Sequence, residues 1–301
     1  MTGVLISWTL TRIGAMNRLL IAGYGDIARR LAALLSPDVE VRGLSRGRGH
    51  DLDLPETIAD IAGWADSVLH LAPPPGAGAA DTRTANLLTA LDSQGILAGA
   101  AKLPQRIVYA STSGVYGDCG GARIDEDRPT APLTARARRR VDAEQQLARW
   151  CSVRGVALVV LRVPGIYAAD RLPVQRLRDL VPVLREEDDV YTNHIHAEDL
   201  ARIALRALEP AAPPGTYNAS DDSELKMGDW FDLLADRLGL PRPPRIARAE
   251  ADGRIPAASL SFMSESRRLV NRRMKQQLGV SLRYPTVREG LKSPGRAPGA
   301  P

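Results

Sequence analysis

Short runs of apolar residues, each bounded by polar or turn-forming residues, recur along the first half of the chain. Runs of this length are typical of strands that are buried on both faces of a parallel sheet. After the first run, Ile27, Leu31, Leu34 and Leu35 recur at the helical period and predict an amphipathic helix. The predicted strands cover residues 18–22, 39–44, 66–72, 106–111 and 156–162.

Strands and helices alternate up to the fifth of these runs. This alternation predicts an α/β fold with a Rossmann-type, doubly wound parallel sheet and right-handed crossovers. After Pro164 the loops lengthen, proline-rich pieces appear, and helices are predicted over 197–208 and 227–238. We therefore predict a Rossmann domain over 16–164 and a small α+β cap over 165–291 that is interleaved with it.

The two ends of the chain differ from the rest in composition. The first 15 residues lack a basic start, and polar residues interrupt their apolar part, which argues against a secretion signal. We expect residues 1–15 to be a disordered extension, with Met16 a more natural start than Met1. The Pro- and Gly-rich stretch at 292–301 predicts a disordered tail.

Composition narrows the class of function. The basic excess of +5 is modest and dispersed, and no nucleic-acid-binding motif is present. Cys119 and Cys151 are too few for a disulfide framework and fit a reducing, cytoplasmic setting. They have no metal-ligand spacing, and no apolar run is long enough to span a membrane. We therefore expect a small-molecule partner, with no metal, nucleic acid or membrane.

The first predicted strand runs directly into a glycine turn of the form G-x-G-x-x-A. Gly23 permits the sharp turn, Gly25 lets the backbone approach a pyrophosphate, and Ala28 lets the helix pack on the strand. The start of that helix offers N–H groups to phosphate. The turn therefore predicts a dinucleotide site that includes Tyr24, Asp26 and Ile27. The alternative is a glycine turn with a purely structural role.

The end of the second predicted strand bears on the choice of dinucleotide. An NAD site usually places Asp or Glu about 20 residues past the glycines, on the ribose hydroxyls. Here that place holds Ser45 and Arg46, with Arg48 close by. Because a guanidinium suits a 2′-phosphate in charge and in paired N–H donors, we expect NADP, with NAD as the alternative. Otherwise Arg46 is a solvated loop residue.

With these residues in place, the chain from about residue 18 to 291 resembles the extended and atypical short-chain dehydrogenase/reductase superfamily. It is similar to the NAD-dependent epimerase/dehydratase group and, within it, to YeeZ-like proteins. The segments that carry the resemblance stand in the family's order, at 111–117, 161–167, 195–200, 217–220 and 278–285. The resemblance implies a nicotinamide cofactor, an anionic or nucleotide-linked substrate, and a homodimer.

The resemblance also implies cofactor contacts outside the glycine turn. Asp51 and Leu52 form an acidic-apolar pair similar to the one that brackets the adenine in relatives. Residues 66–72 resemble the fourth strand, which passes beneath the cofactor ribose. Residues 161–167 resemble the strand and loop that lie beside the nicotinamide in relatives. The contacts implied in this way are Asp51, Leu52, Leu71, Ala72, Pro73, Ala110, Arg140 and Val163.

The helix that should carry the catalytic pair departs from the family. In relatives a Tyr carries the proton, and a Lys four residues later lowers its pKa. When the helix is aligned with the family at Glu144, Arg136 stands where relatives have Tyr, and Arg140 stands where they have Lys. Arginine cannot act as an acid or base near neutrality. Thr112 keeps the Ser/Thr place that polarises the substrate oxygen.

Several side chains are candidates for the missing roles. Arg136 could clamp an anionic substrate, and Arg140 could bind ribose or phosphate, unless both belong to an ordinary basic helix face. Tyr116, Tyr167 and His196 could supply a proton, although each is also a typical packing or capping residue. Two functions therefore stay open. One is an oxidoreductase or a nucleotide-sugar epimerase/dehydratase-like enzyme, and the other is a catalytically inactive NADP(H)-binding sensor or scaffold.

Overall fold

A computed structural model describes residues 16–61, 63–92 and 102–292. The predicted extension over 1–15 and the predicted tail beyond residue 292 lie outside the described residues. None of the helices in the described ranges is long and apolar enough to cross a membrane. The strands are β1 Arg18–Ala22, β2 Glu40–Leu44, β3 Ser67–His70, β4 Arg106–Thr112, β5 Arg123–Ile124, β6 Ala157–Val163, β7 Gly165–Tyr167, β8 Val183–Leu184, β9 Tyr191–Thr192, β10 His194–His196, β11 Gly215–Asn218, β12 Leu225–Lys226, β13 Arg245–Ile246 and β14 Arg268–Leu269; the helices are α1 Asp26–Ala32, α2 Thr82–Asp92, α3 Ala135–Arg154, α4 Val174–Arg178, α5 Ala197–Leu208, α6 Met227–Leu238, α7 Ala257–Phe262, α8 Arg272–Gln277 and α9 Val287–Gly290.

Six strands form one sheet in the order β11-β6-β4-β3-β1-β2. β1 pairs in parallel with β2 on one side and β3 on the other, and β3 pairs in parallel with β4. The strand order therefore reverses at β1, which is the switch point where open α/β sheets bind ligands. The predicted Rossmann-type fold is confirmed.

The segment that resembles the family's fourth strand is the third strand of the described chain. β3 nevertheless lies beside β1, as the fourth strand does in the common Rossmann order. A 3-10 helix over Pro55–Ile61 occupies the connection between β2 and β3. The place beside β1 that the fourth strand has in relatives is therefore taken here by the third strand in sequence order.

The four residues of β1 after Arg18 are buried because apolar side chains occupy both faces of the strand. Leu19, Leu20 and Ile21 are completely inaccessible to solvent. Leu20 belongs to a core cluster that also includes Leu147 and Trp150 of α3. Burial of this kind on both faces is what a continuous apolar run predicts for a central parallel strand.

The chain divides into two compact units that are interleaved along the sequence. The first comprises the residues up to 110, 143–160 and 201–215, and the second comprises 111–142, 161–200 and the residues from 216 onward. The second unit has its own apolar core around Tyr167, Trp230 and Phe231. The predicted boundary between residues 164 and 165 stays a proposal.

Leu180 adopts a left-handed backbone conformation with φ +48° although it is not glycine. Its N–H donates to the carbonyl of Leu177 at 3.0 Å, and the N–H of Val181 donates to the carbonyl of Arg176 at 3.2 Å. The turn therefore closes α4 in the way that usually favours glycine. A residue with a Cβ pays about 1–2 kcal/mol for this conformation.

Replacing Leu180 with glycine is expected to raise the free energy of unfolding by about 0.5–1 kcal/mol. Removing the Cβ relieves the backbone strain, and the larger conformational entropy of glycine in the unfolded chain offsets part of that gain. Urea denaturation checks this value. Leu238→Gly is the matched control, because Leu238 is similarly exposed but helical. The control should lose stability, and a loss of the same size in Leu180→Gly would contradict the prediction.

Candidate functional site

Gly23 occupies a position that no other residue can take without strain. Its φ is +94°, and a Cβ added there would lie 2.5 Å from the backbone nitrogen of Ala72. The turn is closed by the carbonyl of Leu44, which accepts the N–H of Gly23 at 3.0 Å and the N–H of Tyr24 at 2.9 Å. The first glycine is therefore required by the turn itself, because both its dihedral angle and its close approach exclude a side chain.

Gly25 has a different environment. Its φ of −104° is accessible to any residue, and a Cβ added there would meet no atom of the described residues within 4 Å. Gly25 precedes α1, whose first turn has no side-chain cap. Asp26 turns its carboxylate to Arg30, whose Nε lies 3.0 Å away. Open space next to bare backbone is the arrangement that a diphosphate needs, and it fits the predicted site.

A cleft of about 320 Å³ in the first unit opens beside the glycine turn. It brings together most of the predicted cofactor-binding residues. Asp26, Ile27 and Ala110 do not line it, and neither do Arg140 and Val163, which belong to the second unit. The predicted residues in the lining are Gly23, Tyr24, Gly25, Ser45, Arg46, Asp51, Leu52, Leu71, Ala72 and Pro73, and the lining residues that sequence reasoning missed are Leu44, His50 and Arg83.

Arg83 connects the two loops that flank this cleft. Its guanidinium donates to both carboxylate oxygens of Asp53, at 2.8 and 2.6 Å, and to the carbonyl of Pro73 at 3.0 Å. The hydrogen bond from Arg83 holds the pKa of Asp53 below its usual range, and the charge of Arg46 acts in the same direction. No sequence motif pointed to Arg83, because its partner lies 30 residues away.

A second cavity, of about 490 Å³, lies within the second unit. Two of the predicted catalytic residues, Thr112 and Arg136, line it. Thr112 ends β4, and its hydroxyl accepts the N–H of Gly114 at 3.3 Å. Because that bond uses only a lone pair, the O–H of Thr112 stays available to a substrate oxygen.

Arg136 lies partly buried near the start of α3. Its Cζ is 3.8 Å from the centroid of the Phe262 ring, and Nη1 donates to Ser261 Oγ at 2.9 Å. Burial lowers the pKa of Arg136 from its ordinary value, yet arginine keeps its charge in proteins. The side chain can therefore serve as a cation in the cavity. Arg140 lies one turn further along α3 and does not line the cavity.

Tyr116 does not line the cavity. Its side chain is completely buried, and its hydroxyl donates to Asn218 Oδ1 at 2.8 Å. The guanidinium of Arg162 lies 4.7 Å from the centroid of its ring. This placement suits a packing residue and gives the hydroxyl no access to a substrate, so we do not retain Tyr116 as a proton donor.

The other two candidate proton carriers are also engaged. Burial raises the pKa of Tyr167 above its ordinary value, and its hydroxyl donates to the carbonyl of Thr286 at 3.3 Å. His196 is buried, and its Nδ1 accepts the N–H of Glu198 at 3.3 Å at the start of α5. His196 therefore supports the helix start.

Of the aromatic residues that line this cavity, sequence reasoning named only Tyr167. His194 and Trp230 line it with ring centroids 4.5 Å apart. Burial lowers the pKa of His194 to about 3, so the imidazole is neutral at pH 7. The only signal was the two-residue spacing from His196, which places both rings on one side of a strand. Trp230 belongs to α6 and has no motif around it.

A buried ion pair completes the lining. Both Nη atoms of Arg267 lie 3.0 Å from Glu265 Oε2, and both side chains are largely inaccessible. The cavity thus holds aromatic rings, hydroxyl groups and a cation at Arg136. Such a lining suits a polar ligand that carries negative charge.

A match to a protein-family model agrees with the strand order, the glycine turn and the cleft beside it. Residues 20–220 match the model of the NAD dependent epimerase/dehydratase family. This chain belongs to that family. The epimerase/dehydratase group inferred from the resemblance is confirmed, while the YeeZ-like subtype stays a prediction.

Solved structures of other proteins share the fold over nearly the whole chain. A functionally unknown conserved protein from Silicibacter pomeroyi DSS is 31% identical, with a TM-score of 0.72 over 91% of this chain and 96% of that one. RMD from Pseudomonas aeruginosa, in a complex with NADPH, is 20% identical, with a TM-score of 0.68 over the same shares of the two chains. At that identity the second likeness shows the fold alone.

A UDP-glucose 4-epimerase from Azospirillum brasilense is 31% identical over 131 residues. The match covers 44% of this chain and 32% of the length of that enzyme. The chain therefore corresponds to about a third of that relative, and the relative's activity is not carried over by the match.

Proposed function

We propose that this protein binds a nicotinamide dinucleotide at the cleft around Gly23 and Gly25, and that it prefers NADP(H). The open space at Gly25, next to a helix start without a side-chain cap, is the observation that carries the proposal. A diphosphate can approach the backbone at this place without an intervening side chain. Membership of the family and the NADPH complex of RMD support the same assignment.

The preference for NADP(H) rests on Ser45 and Arg46, which line the cleft where an acidic residue would favour NAD. Replacing Arg46 with aspartate is expected to lower the affinity for NADPH relative to NADH by about tenfold or more, because a charge-assisted bond to the 2′-phosphate is lost and a repulsion is introduced. Fluorescence titration with both nucleotides measures the ratio. Arg29→Asp is the charge-matched control, since Arg29 is exposed on α1 and lies outside the cleft. An unchanged ratio in Arg46→Asp would reject the role of Arg46.

We further propose that the cavity of the second unit holds a polar, anionic or nucleotide-linked substrate. A nicotinamide, when bound, supplies a site that accepts or donates hydride. Thr112 would hold the reacting oxygen through its free O–H, and Arg136 would bind a negative group of the substrate. In this proposal the protein is an oxidoreductase, or an epimerase or dehydratase of nucleotide sugars.

A second candidate function is a catalytically inactive NADP(H)-binding sensor or scaffold. It is favoured by the loss of the family's Tyr and Lys from α3 and by the state of two ionisable side chains that line the cavity, Tyr167 and His194. Helix α3 contains neither Tyr nor Lys, His194 is neutral, and the hydroxyl of Tyr167 is engaged and hard to ionise. General acid–base catalysis needs a group whose pKa lies near the working pH.

Turnover distinguishes the two functions. The full chain is incubated with NADPH and a panel of aldehydes and ketones, and with NADP+ or NAD+ and a panel of alcohols and UDP-sugars, and both nucleotide absorbance and sugar products are followed. Product analysis is needed because an epimerase regenerates its cofactor. An active enzyme should lose most of its rate in Thr112→Val, which removes the hydroxyl and keeps the shape. Binding of NADPH with no product from any substrate would instead favour the sensor or scaffold.

A further inference from the structure

Tyr24, the residue between the two glycines of the turn, lines the cleft and contacts the guanidinium of Arg48, which is not itself part of the lining. Its ring lies against the backbone of Gly43 in β2, where an added Cβ would overlap the ring. The Cζ atom of Arg48 lies 4.2 Å from the centroid of the same ring. Tyr24 therefore contacts both the end of β2 and the guanidinium that follows it.

Arg48 belongs to a short 3-10 turn, Arg46–Arg48, that directly follows Ser45. Its N–H donates to the carbonyl of Ser45 at 2.9 Å, which fixes the backbone of the turn. The guanidinium is exposed and forms no ion pair or hydrogen bond within residues 16–61, 63–92 and 102–292. Its contact with the Tyr24 ring thus orients the side chain and leaves its N–H donors unused.

We propose that Tyr24 is a positioning residue that holds Arg48 for the 2′-phosphate of NADP(H). The inference rests on the proposed function and assigns the preference for NADP(H) to a pair of residues instead of Arg46 alone. A guanidinium that is stacked on a ring has fewer conformations to lose when it binds a phosphate. Its in-plane donors then form charge-assisted hydrogen bonds, which NADH cannot accept because it has no 2′-phosphate.

The test measures the dissociation constants of NADPH and NADH by fluorescence titration of the full chain. The proteins are the wild type, Tyr24→Phe, Tyr24→Leu, Arg48→Ala and the double variant Tyr24→Leu/Arg48→Ala. The readout is the ratio of the NADH constant to the NADPH constant. Any change that a substitution causes in the turn itself acts on both nucleotides and cancels in this ratio.

Arg48→Ala is expected to lower the ratio by about tenfold, since a hydrogen bond to a charged group is lost. Tyr24→Leu should lower it by about two- to fivefold, the size of an exposed cation–π contact. Tyr24→Phe keeps the ring and should keep the wild-type ratio. The double variant should match Arg48→Ala, because Tyr24 acts through Arg48.

An unchanged ratio in Tyr24→Leu would overturn the inference, and so would a further loss when Tyr24→Leu is added to Arg48→Ala. A loss in Tyr24→Phe equal to that in Tyr24→Leu would overturn it too, because the hydroxyl would then be the active group. If only Arg46→Asp changes the ratio, the positioning role fails while the proposed function stands. If the wild type binds neither nucleotide, the proposed function itself fails.

Discussion

Replacing Gly25 with valine is expected to weaken NADPH binding by more than about 100-fold, which corresponds to the loss of two hydrogen bonds to a charged group. The valine side chain would fill the open space beside the turn, which the diphosphate needs. The fold should survive, because φ at Gly25 is ordinary and an added Cβ has no neighbour within 4 Å in the part of the chain that the structure describes. We expect the free energy of unfolding to stay within about 1 kcal/mol of the wild-type value.

Two further variants make the Gly25→Val result specific. Ala33→Val adds bulk to an exposed residue at the other end of α1 and should leave NADPH binding intact. Gly23→Ala should instead lower stability by about 2–4 kcal/mol, since it combines an unfavourable φ with an overlap on Ala72. Nucleotide titration and urea denaturation of all three variants separate the two glycines. Wild-type affinity in Gly25→Val would mean that the turn is purely structural.

The second large effect is on stability as a function of pH. Asp221 is buried, one of its oxygens accepts the N–H of Ser223 at 2.9 Å, and its carboxyl group interacts with the hydroxyl of Tyr167. Burial raises the pKa of Asp221 to about 8, against about 3.9 in an unfolded chain. Between these values the folded state holds a proton that the unfolded state has lost. Stability therefore falls as pH rises through this range, by up to about 1.4 kcal/mol per pH unit.

Asp221→Asn mimics the neutral acid and removes this dependence. The amide oxygen can keep the bond from Ser223, and the amide nitrogen replaces the protonated oxygen. We expect the variant to match the wild type near pH 4 and to be more stable at pH 8, by an amount on the order of 4 kcal/mol. Urea denaturation between pH 4 and 8 gives both profiles.

Only the difference between the two profiles is diagnostic. The pKa values of Glu126 and Asp189 are also raised by burial, so other carboxyl groups contribute to the slope of each protein. Their contributions cancel when the variant is subtracted from the wild type. Parallel profiles would show that Asp221 is charged in the folded protein at neutral pH.

The sheet and the first cleft could be predicted because their signals are local. The predicted strand over 18–22 and the predicted helices over 197–208 and 227–238 coincide with β1, α5 and α6. An apolar run, an amphipathic period and a glycine turn each arise from neighbouring residues. The cleft beside the glycine turn is formed mainly by short segments of the chain, and most of its lining residues could therefore be predicted.

The cavity of the second unit could not be predicted in the same way. Thr112, His194 and Glu265 line it together although they are far apart in the sequence. The strands β8, β9, β12, β13 and β14 have two residues each, too few for a periodic pattern. Tyr116 shows that a motif alone can mislead. Its motif resembles the family's, yet tertiary packing directs its hydroxyl to Asn218, which the sequence did not indicate.

An equilibrium titration of the purified full chain with NADPH and NADH, followed by nucleotide fluorescence, tests the dinucleotide site most directly. We predict saturable binding of one nucleotide per chain, with NADPH bound more tightly than NADH. Circular dichroism on the same sample establishes that the protein is folded. No saturable binding of either nucleotide by the folded protein would contradict the assignment of the cleft.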